Sequence, residues 1–415
     1  MTDIPRDDSL ESSTALLREG YTFIRDRCRA LGSDVFQTRL LMQNTICMSG
    51  EEAARLFYDK ALFQRAHAAP RMLQQTLFGR GGVQGLDGDA HLQRKRLFVS
   101  LLDDQGVAEM VRLAQGQWEA AIERWRQADR VVLLIEAQRI LTQAACQWAA
   151  VPLGDEEVEI RRAQLAAMID GAGGVGARHW QARKARREAE RWTAGLIEQV
   201  RAGALPAPAE SALQAVATHR DANGERLDTR IAAVELLNLL RPTVAVSRFI
   251  VYAALELLAH PEWRQRLADG SDEDRELFAQ EVRRLYAFFP FTAARVRKDF
   301  EWKGYHFAEG TRVMLDLYGT NRDPRNWQDP EHFHPERFEQ WDGNPYSFIT
   351  QGGADAATNH RCPGERLSIE LLKLALRMLT QAMTYGVPAQ DLRIDTSRMP
   401  AQPESCFVIS DVRRR

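Results

Sequence analysis

The chain has 415 residues, 45% of them hydrophobic, and a formal net charge of −2. Such a chain buries a large core, and a charge so close to zero gives no electrostatic basis for binding nucleic acid or an anionic membrane. The five cysteines are odd in number and scattered without a CxxC pair, which argues against a disulfide framework and against a structural zinc site.

Residues 1–20 are polar and charged, and we find no apolar run of membrane-spanning length after them. The sequence therefore predicts a cytoplasmic protein without a signal peptide or a membrane anchor. The length alone would fit two or three domains. No repeat, low-complexity linker or composition shift marks a boundary, so we predict a single domain over residues 1–415.

The first half of the chain predicts helices around a small sheet. Residues 35–47 are rich in β-branched and apolar side chains, with a turn at Gln43-Asn44. Ser49-Gly50-Glu51-Glu52 predicts a capping box that opens a helix through Asp59. Helical periodicity then covers residues 91–102, 106–127 and 132–148, and the glycine-rich stretch 79–88 predicts a loop.

The second half is predicted to be helical and then β-rich. An apolar helical pattern runs from Asp228 to about His260 and is closed by Pro261. A further helix is predicted over 273–288, a hairpin over 295–302 and 305–307 around Lys303-Gly304, and another strand over 312–317. The predicted fold class is therefore mainly α with a minor β part.

A glycine-containing loop, 351–361, leads to Cys362, and apolar residues then recur at helical spacing. Because Pro363 suits the first position of a helix, we predict that Cys362 lies at a helix N-terminus, where the dipole and free N–H groups favour a thiolate. His360 and Arg361 add positive potential. A thiolate in such a loop is suited to ligate haem iron, although an isolated Arg-Cys-Pro-Gly is more often an inert buried cysteine.

Other charged motifs precede this loop in a fixed order. His91 to Arg96 opens a helix with cationic groups on adjacent turns, which are candidates to hold haem propionates, and Arg65 is a weaker candidate. Glu281 and Arg284 lie one helical turn apart, and Arg337 in a Pro-Glu-Arg-Phe motif is positioned to join them in a buried network. Taken alone, such a Glu-x-x-Arg pair is usually a surface ion pair of small value.

In order and spacing these motifs resemble the cytochrome P450 superfamily. The resemblance implies a triangular-prism helical fold around a buried haem b (iron protoporphyrin IX), with Cys362 as the axial thiolate. It also implies the structural network of Glu281, Arg284 and Arg337. The other residues that it assigns to haem binding are His91, Lys95, Arg65, His360 and Arg361.

The central helix departs from the general pattern of that superfamily. Most members carry an acidic residue followed by an alcohol there, which relay protons to bound dioxygen, whereas this chain has Arg241-Pro242 in an apolar run. Pro242 in a helix interior removes one backbone hydrogen bond and kinks the helix, which costs about 3 kcal/mol. A buried guanidinium needs an anion. In one interpretation Arg241 pairs with a nearby acid such as Glu235 or reaches solvent.

The Arg-Pro pair, the long glycine loop and Cys-Pro-Gly-Glu together resemble the bacterial fatty-acid peroxygenase branch of the superfamily. The resemblance runs from about Ile4 to the end, and its local departure at Thr350–Ala354 predicts a small change in loop shape without loss of haem. It implies that Arg241 binds the carboxylate of a long-chain fatty acid bidentately. This carboxylate then relays a proton for hydrogen peroxide, and the adjacent α or β carbon is hydroxylated. No NAD(P)H and no redox partner are expected.

The resemblance also implies the remaining site residues. Gln84 is expected near the reacting carbon, and branch members with glutamine there tend to hydroxylate, whereas those with histidine tend to form terminal alkenes by decarboxylation. Phe78, Phe288 and Phe291 match wall positions of the tail tunnel, and Ile169 is expected on its far side, although core packing is the commoner fate of phenylalanine. The catalytic candidates are therefore Arg241, Pro242 and Gln84.

Other functions are weighed against this one. Residues 171–176 fit GxGxxG, but a dinucleotide fingerprint needs a preceding strand and 157–170 reads as a helix. Residues 178–192 are basic and aromatic, typical of a solvated helix face, with a docking face for a redox protein as the alternative. The alternative functions are a decarboxylase, a monooxygenase that receives electrons from a reductase and a ferredoxin, and a non-enzymatic haem sensor. In a haem sensor the Arg241-Pro242 pair would have no role.

Overall fold

The structure is a computed structural model that describes residues 3–7 and 9–415. Within these residues the chain is mainly helical, as predicted, with sixteen α-helices and ten strands. The helices are α1 (Ser13–Glu19), α2 (Phe23–Leu31), α3 (Glu51–Phe57), α4 (Arg71–Leu73), α5 (Gly88–Leu101), α6 (Asp104–Trp125), α7 (Leu133–Trp148), α8 (Asp155–Asp170), α9 (Ala177–Arg201), α10 (Ala212–Thr218), α11 (Thr229–Ala245), α12 (Ser247–Ala259), α13 (Pro261–Asp269), α14 (Asp272–Leu285), α15 (Leu317–Thr320) and α16 (Glu365–Arg377).

The strands form three small sheets in the part of the chain that the structure describes. They are β1 (Val35–Leu40), β2 (Gln43–Met48), β3 (Phe63–Gln64), β4 (Val131–Val132), β5 (Phe291–Val296), β6 (Phe300–Trp302), β7 (Tyr305–Phe307), β8 (Arg312–Asp316), β9 (Met383–Gly386) and β10 (Val408–Arg414). The largest sheet has the order β1-β2-β8-β5-β3, in which β2 and β8 are parallel. The other two are β4-β10-β9 and the hairpin β6-β7. The hairpin predicted around Lys303-Gly304 is confirmed, but its first arm is shorter than the predicted 295–302, because residues 295–296 belong to β5.

Two local predictions near the first hairpin are wrong. The turn lies at Leu41-Met42, because Gln43 and Asn44 already pair with β1. Leu41 and Met42 have φ of 50° and 60°, the left-handed values that a tight two-residue hairpin turn requires. Ser49 does not cap α3; its Oγ donates to Asp316 Oδ2 at 3.1 Å, so a tertiary contact replaces the local capping box.

The long apolar helical pattern after Asp228 is confirmed, with one interruption. Asp228 caps α11 by accepting a hydrogen bond from the Arg230 N–H at 2.9 Å. The helix pattern breaks at Val246, whose N–H bonds to Thr243 O at 3.2 Å, and α12 continues from there. Pro242 has no N–H to donate, so the disturbance predicted from it appears within the next turn.

The helical segment Thr229–Ala259 is the centre of the core. The segment has 31 residues, and its most apolar 18-residue window has a mean hydropathy of 1.5, which by length and composition would suffice to cross a membrane, so the prediction that no segment reaches that length is wrong. However, 78% of its most apolar window is buried inside the fold, as in the core helix of a globular protein. It packs against α7, α8, α9, α14 and α16, which places Arg241 within the largest hydrophobic cluster.

Residues 171–176 join α8 directly to α9. Because a helix and not a strand precedes them, the exclusion of a dinucleotide fingerprint is confirmed. The basic stretch that follows forms the first part of α9, where Trp180 is 61% exposed and Arg186 is buried.

Candidate active site

The cysteine loop runs along α14 and ends where α16 begins. Helix α16 starts at Glu365 with Gly364 as its N-cap, so Pro363 lies one position outside the helix and not at its first residue. The Cys362 N–H donates to Gln351 O at 2.9 Å, which fixes the end of the loop. Cys362 therefore lies just before the helix N-terminus, close to the predicted position.

Burial raises the pKa of the Cys362 thiol, and the charge of Glu365 acts in the same direction. A hydrogen bond from the Gly364 N–H and the charges of Lys95 and Arg283 lower that pKa. A metal cation bound to the sulfur would complete the deprotonation, since a coordinating thiol loses its proton outright.

A cavity of about 330 Å³ lies beside the cysteine loop and has basic side chains on its wall. His91 and His360 stack there with ring centroids 4.0 Å apart, and His360 Nε2 lies 3.8 Å from Asp87 Oδ1. Burial lowers the pKa of His91 to about 3 and that of His360 to about 4. The predicted pair of histidines is therefore brought together from α5 and the loop.

Lys95 lies one turn after His91, buried behind this cavity. Its ammonium donates to the carbonyl oxygens of Asn359, at 2.8 Å, and Arg361, and it pairs with no carboxylate among the described residues. Burial lowers the pKa of Lys95 to about 8, while the charge of the Cys362 thiolate raises it. A buried cation held only by carbonyls favours an anionic ligand nearby.

The two predicted arginines lie in different places. Arg65 lines the basic cavity; its Nη1 donates to Thr292 Oγ1 at 3.1 Å and to Ala293 O at 2.7 Å. Arg361 pairs with Glu365 and lines a second cavity of about 280 Å³ that contains Cys362. The carboxylate of Glu365 largely neutralises the charge of Arg361, so Arg361 adds less positive potential at the Cys362 thiolate than predicted.

Together these residues fit a haem. The sulfur of Cys362 lies at the end of the cysteine loop, next to a helix N-terminus, where it could ligate iron. The nitrogen atoms of His91, His360 and Arg65, which can donate hydrogen bonds to carboxylates, line the adjoining cavity. Lys95 is a buried cation without a carboxylate among the described residues, and the neutral rings of His91 and His360 can donate hydrogen bonds, so these residues suit the propionates of a haem.

Arg241 is buried near the C-terminal end of α11, with 6% of its surface exposed. Its Nη2 donates to Asn238 Oδ1 at 3.3 Å, and its Nε has no hydrogen-bond partner in the described structure. Burial and the charge of Arg186 lower the pKa of Arg241 to about 9. The guanidinium thus lacks an anion within the described residues.

Glu235 is not the partner of Arg241. Its carboxylate pairs with Arg94 on α5, with 2.6 Å between Arg94 Nη1 and Glu235 Oε1. The interpretation in which Arg241 is satisfied by Glu235 is therefore wrong, because a cation from another helix has taken that carboxylate.

Asn238 is the site residue that the sequence reasoning missed. Its Nδ2 donates to Gln84 Oε1 at 3.3 Å while its Oδ1 accepts from Arg241, so the two predicted residues meet through it. The available signal was its spacing, since residues three apart share a helix face.

The predicted tunnel residues lie on several segments. Phe78 ends the π-helical turn Gln74–Phe78, and Ile169 is fully buried in the last turn of α8. Phe288 packs on Phe249 with ring centroids 6.1 Å apart. Phe291 instead packs at the edge of the sheet clusters, against residues of the N-terminal helices.

The Glu281 network is confirmed. Arg284 binds Glu281 bidentately with two contacts of 2.7 Å, and Arg337 Nε donates to the same carboxylate at 3.1 Å. The His334 N–H adds a further hydrogen bond of 2.9 Å. The carboxylate is fully buried, so this is a structural core network and not a surface pair.

Comparison with known proteins identifies the family. The family model described as Cytochrome P450 matches residues 276–403. The solved structure of Cytochrome P450SP alpha (CYP152B1) in complex with (R)-ibuprophen superposes with a TM-score of 0.95 at 43% identity, over 98% of this chain and 99% of that chain. This chain belongs to the cytochrome P450 family. Its fold is accordingly the cytochrome P450 fold, and the cofactor of this family is haem.

Two other cytochromes P450 match over the full length. Cytochrome P450EX alpha (CYP152N1) with myristic acid has a TM-score of 0.96 and 41% identity, with all of both chains covered. A variant of cytochrome P450 OleT in complex with arachidonic acid has a TM-score of 0.97 and 33% identity, over 100% of this chain and 99% of that chain. These CYP152 matches confirm the resemblance to the fatty-acid peroxygenase branch.

The curated relatives align over shorter stretches. Cytochrome P450 84A4 of Arabidopsis thaliana is 31% identical over 169 residues, 35% of this chain and 32% of that protein. Cytochrome P450 3A11 of Mus musculus is 26% identical over 210 residues, 45% of this chain and 41% of that protein. The chain thus spans about a third to two fifths of the length of these relatives.

Proposed function

We propose that this cytochrome P450 is a peroxygenase that hydroxylates long-chain fatty acids at the α or β carbon with hydrogen peroxide. The observation that carries the proposal is Arg241, a buried cation without an anion among the described residues, on a central helix that has Arg-Pro instead of an acid and an alcohol. A fatty-acid carboxylate supplies the missing anion. Three CYP152 neighbours are solved with myristic acid, arachidonic acid and (R)-ibuprophen, all of them carboxylic acids.

The cofactor in this proposal is haem b, in a single domain formed by residues 1–415. Cys362 provides the iron ligand, and His91, Lys95, Arg65 and His360 hold the propionates. Arg361, paired with Glu365, holds the end of the cysteine loop. When bound, haem supplies the thiolate-ligated iron at which hydrogen peroxide is activated for oxygen transfer. The proposal includes a cytoplasmic location and no redox partner.

The substrate carboxylate provides the acid–base group that the chain lacks. Held bidentately by Arg241, it takes a proton from one oxygen of hydrogen peroxide and returns it to the other as the O–O bond breaks. One C–H bond of the fatty acid becomes C–OH, and the second peroxide oxygen leaves as water. Because the carboxylate is the anchor, the reacting carbon is the α or the β carbon.

The tail of the fatty acid lies along apolar side chains in this proposal. Phe78 and Ile169 come from the two segments next to α9, and Phe288 follows α14. Phe291 contributes at the sheet side, where its ring packs at the edge of two core clusters. Pro242 leaves the carbonyl four residues before it without its usual helical donor, next to the carboxylate site.

The ligation by Cys362 predicts a spectrum. We expect the ferrous–carbon monoxide complex to show the red-shifted Soret band of a thiolate ligand, and Cys362→Ser to lose that band. The matched control is Cys406→Ser, which changes another partly exposed cysteine and should keep the band. An imidazole-type band in correctly folded wild-type protein would contradict this assignment.

The proposed reaction predicts its products. Purified protein incubated with myristic acid and hydrogen peroxide, without any reductant, should give mainly α- and β-hydroxy acids, with terminal alkene as a minor product at most. The reason is Gln84, whose amide does not titrate, where a histidine could donate or accept a proton. Gln84→His should raise the alkene fraction in chromatograms of the products.

Two outcomes of that incubation go against the proposal. Terminal alkene as the main wild-type product would show that Gln84 does not control the outcome and would favour the decarboxylase. Turnover only with NADPH, reductase and ferredoxin would favour the monooxygenase.

A further inference from the structure

We propose that the buried ion pair of Arg94 and Glu235 is a positioning device that keeps Arg241 available for the substrate carboxylate. The inference rests on the proposed function, because it assigns Arg241 to carboxylate binding. It concerns two residues that do not touch Arg241 themselves and act through Asn238.

The pair links two helices in the core. Arg94 comes from α5 and Glu235 from α11, and their side chains are only 7% and 0% exposed. A buried ion pair of this kind adds little net stability, because the desolvation of both charges offsets their attraction. Its presence beside a site that needs a free cation therefore calls for a role other than stability.

The hydrogen bond that Asn238 donates to Glu235 fixes the orientation of the Asn238 amide. Asn238 Nδ2 donates to Glu235 Oε2 at 2.9 Å, and Asn238 Oδ1 accepts from Arg241 Nη2 at 3.3 Å. An ionised carboxylate only accepts hydrogen bonds and a guanidinium only donates them. The reversed amide would face the acceptor Glu235 with its oxygen and the donor Arg241 with its NH₂ group, so the carboxylate of Glu235 favours the orientation in which Asn238 accepts from Arg241.

The glycine loop adds an independent observation. A β-carbon at Gly82 would lie 3.1 Å from both Asn238 Nδ2 and Gln84 Oε1. A side chain here would press on both groups, so the glycine favours the close approach in which Gln84 accepts a second hydrogen bond from Asn238 Nδ2. Asn238 is thus held from two sides, by Glu235 and by Gln84.

Arg94 keeps this arrangement neutral overall. Without Arg94, an ionised Glu235 would be an uncompensated negative charge two hydrogen bonds from Arg241, and it would repel the incoming carboxylate. A protonated Glu235 would carry a donor as well as an acceptor, so it would no longer hold the Asn238 amide in the single orientation that accepts from Arg241. Both forms weaken fatty-acid binding.

Removing either residue should therefore change the affinity for fatty acid by a different amount. Removing the cation by Arg94→Met should weaken myristic acid binding at least about tenfold, as expected for an unscreened charge at this range. Removing the anion by Glu235→Gln leaves Arg94 as an additional positive charge near the site, which attracts the incoming carboxylate and offsets the loss of one of the two acceptor oxygens. The affinity should therefore stay within about threefold. The double variant should regain most of the affinity, whereas a purely structural pair would lose affinity with either change.

The experiment titrates each holoenzyme with myristic acid and follows the shift of the haem Soret band, with haem content and thermal unfolding measured in parallel. Arg96→Met is the matched control, since Arg96 lies on α5 but is exposed. If Arg94→Met does not fold, Arg94→Lys is compared with Glu235→Gln instead. Arg94→Lys keeps the positive charge and should therefore retain the affinity for myristic acid.

The outcomes separate this inference from the proposed function. Wild-type affinity in Arg94→Met, equal losses in both single variants, or no recovery in the double variant would overturn the inference alone. Loss of affinity in Glu235→Gln together with its retention in Arg94→Lys would also overturn it. A wild-type protein that binds no fatty acid would overturn the proposed function and this inference together.

Discussion

Arg241→Ala and Arg241→Lys are expected to lose nearly all peroxide-driven fatty-acid oxidation while keeping their haem. The guanidinium lies in an apolar helix with a free Nε, and losing a buried charge-assisted pair costs about 2–5 kcal/mol. This corresponds to roughly 30-fold to several thousand-fold in rate. Lysine does not rescue, because an ammonium lacks the planar pair of donors. Turnover of myristic acid with hydrogen peroxide measures the loss.

Controls for this prediction use the same helix and the wild type. Arg230 lies on α11 but is exposed, so Arg230→Ala should keep full activity. A short carboxylic acid added with a non-acid substrate should restore part of the oxygen transfer in the wild type, because it supplies the missing carboxylate. Unchanged activity in Arg241→Ala would refute the substrate-assisted mechanism.

The largest effect on stability is expected at Glu281. Glu281→Ala leaves Arg284 and Arg337 without their shared carboxylate in the core. Breaking a buried pair in this way costs about 3–5 kcal/mol, a large share of the roughly 5–15 kcal/mol that stabilise a typical domain. We expect little folded, haem-containing protein and a strongly lowered unfolding temperature.

Glu273→Gln serves as the comparison, since Glu273 is exposed on the same helix and a surface change of this kind stays within about 0.5 kcal/mol. Thermal unfolding and the haem-to-protein ratio are measured for both variants. A Glu281→Ala protein that unfolds at the wild-type temperature would show that the network of Glu281, Arg284 and Arg337 does not stabilise the fold.

Local spacing accounts for most of what could be predicted. The long helices that were predicted lie close to their observed bounds, because their apolar residues repeat with the helical period over many turns, whereas the short helices α1, α2, α10 and α13 were not predicted. The Glu281–Arg284 pair followed from residues three apart on one helix, and the position of Cys362 from the proline and glycine after it. The predictions at Gln43-Asn44 and Ser49 failed where pairing with another segment overrode a local motif.

The sequence by itself determined the family motifs, the cysteine loop and a cation inside an apolar helix. Only the tertiary structure decided which buried cationic side chain pairs with which buried carboxylate. Glu235 lies on the same helix as Arg241, yet it pairs with Arg94, 141 positions earlier in the chain. Spacing along one helix cannot predict such a contact, because the packing of α5 against α11 sets it. That long-range pairing leaves Arg241 without an anion and so creates the candidate site.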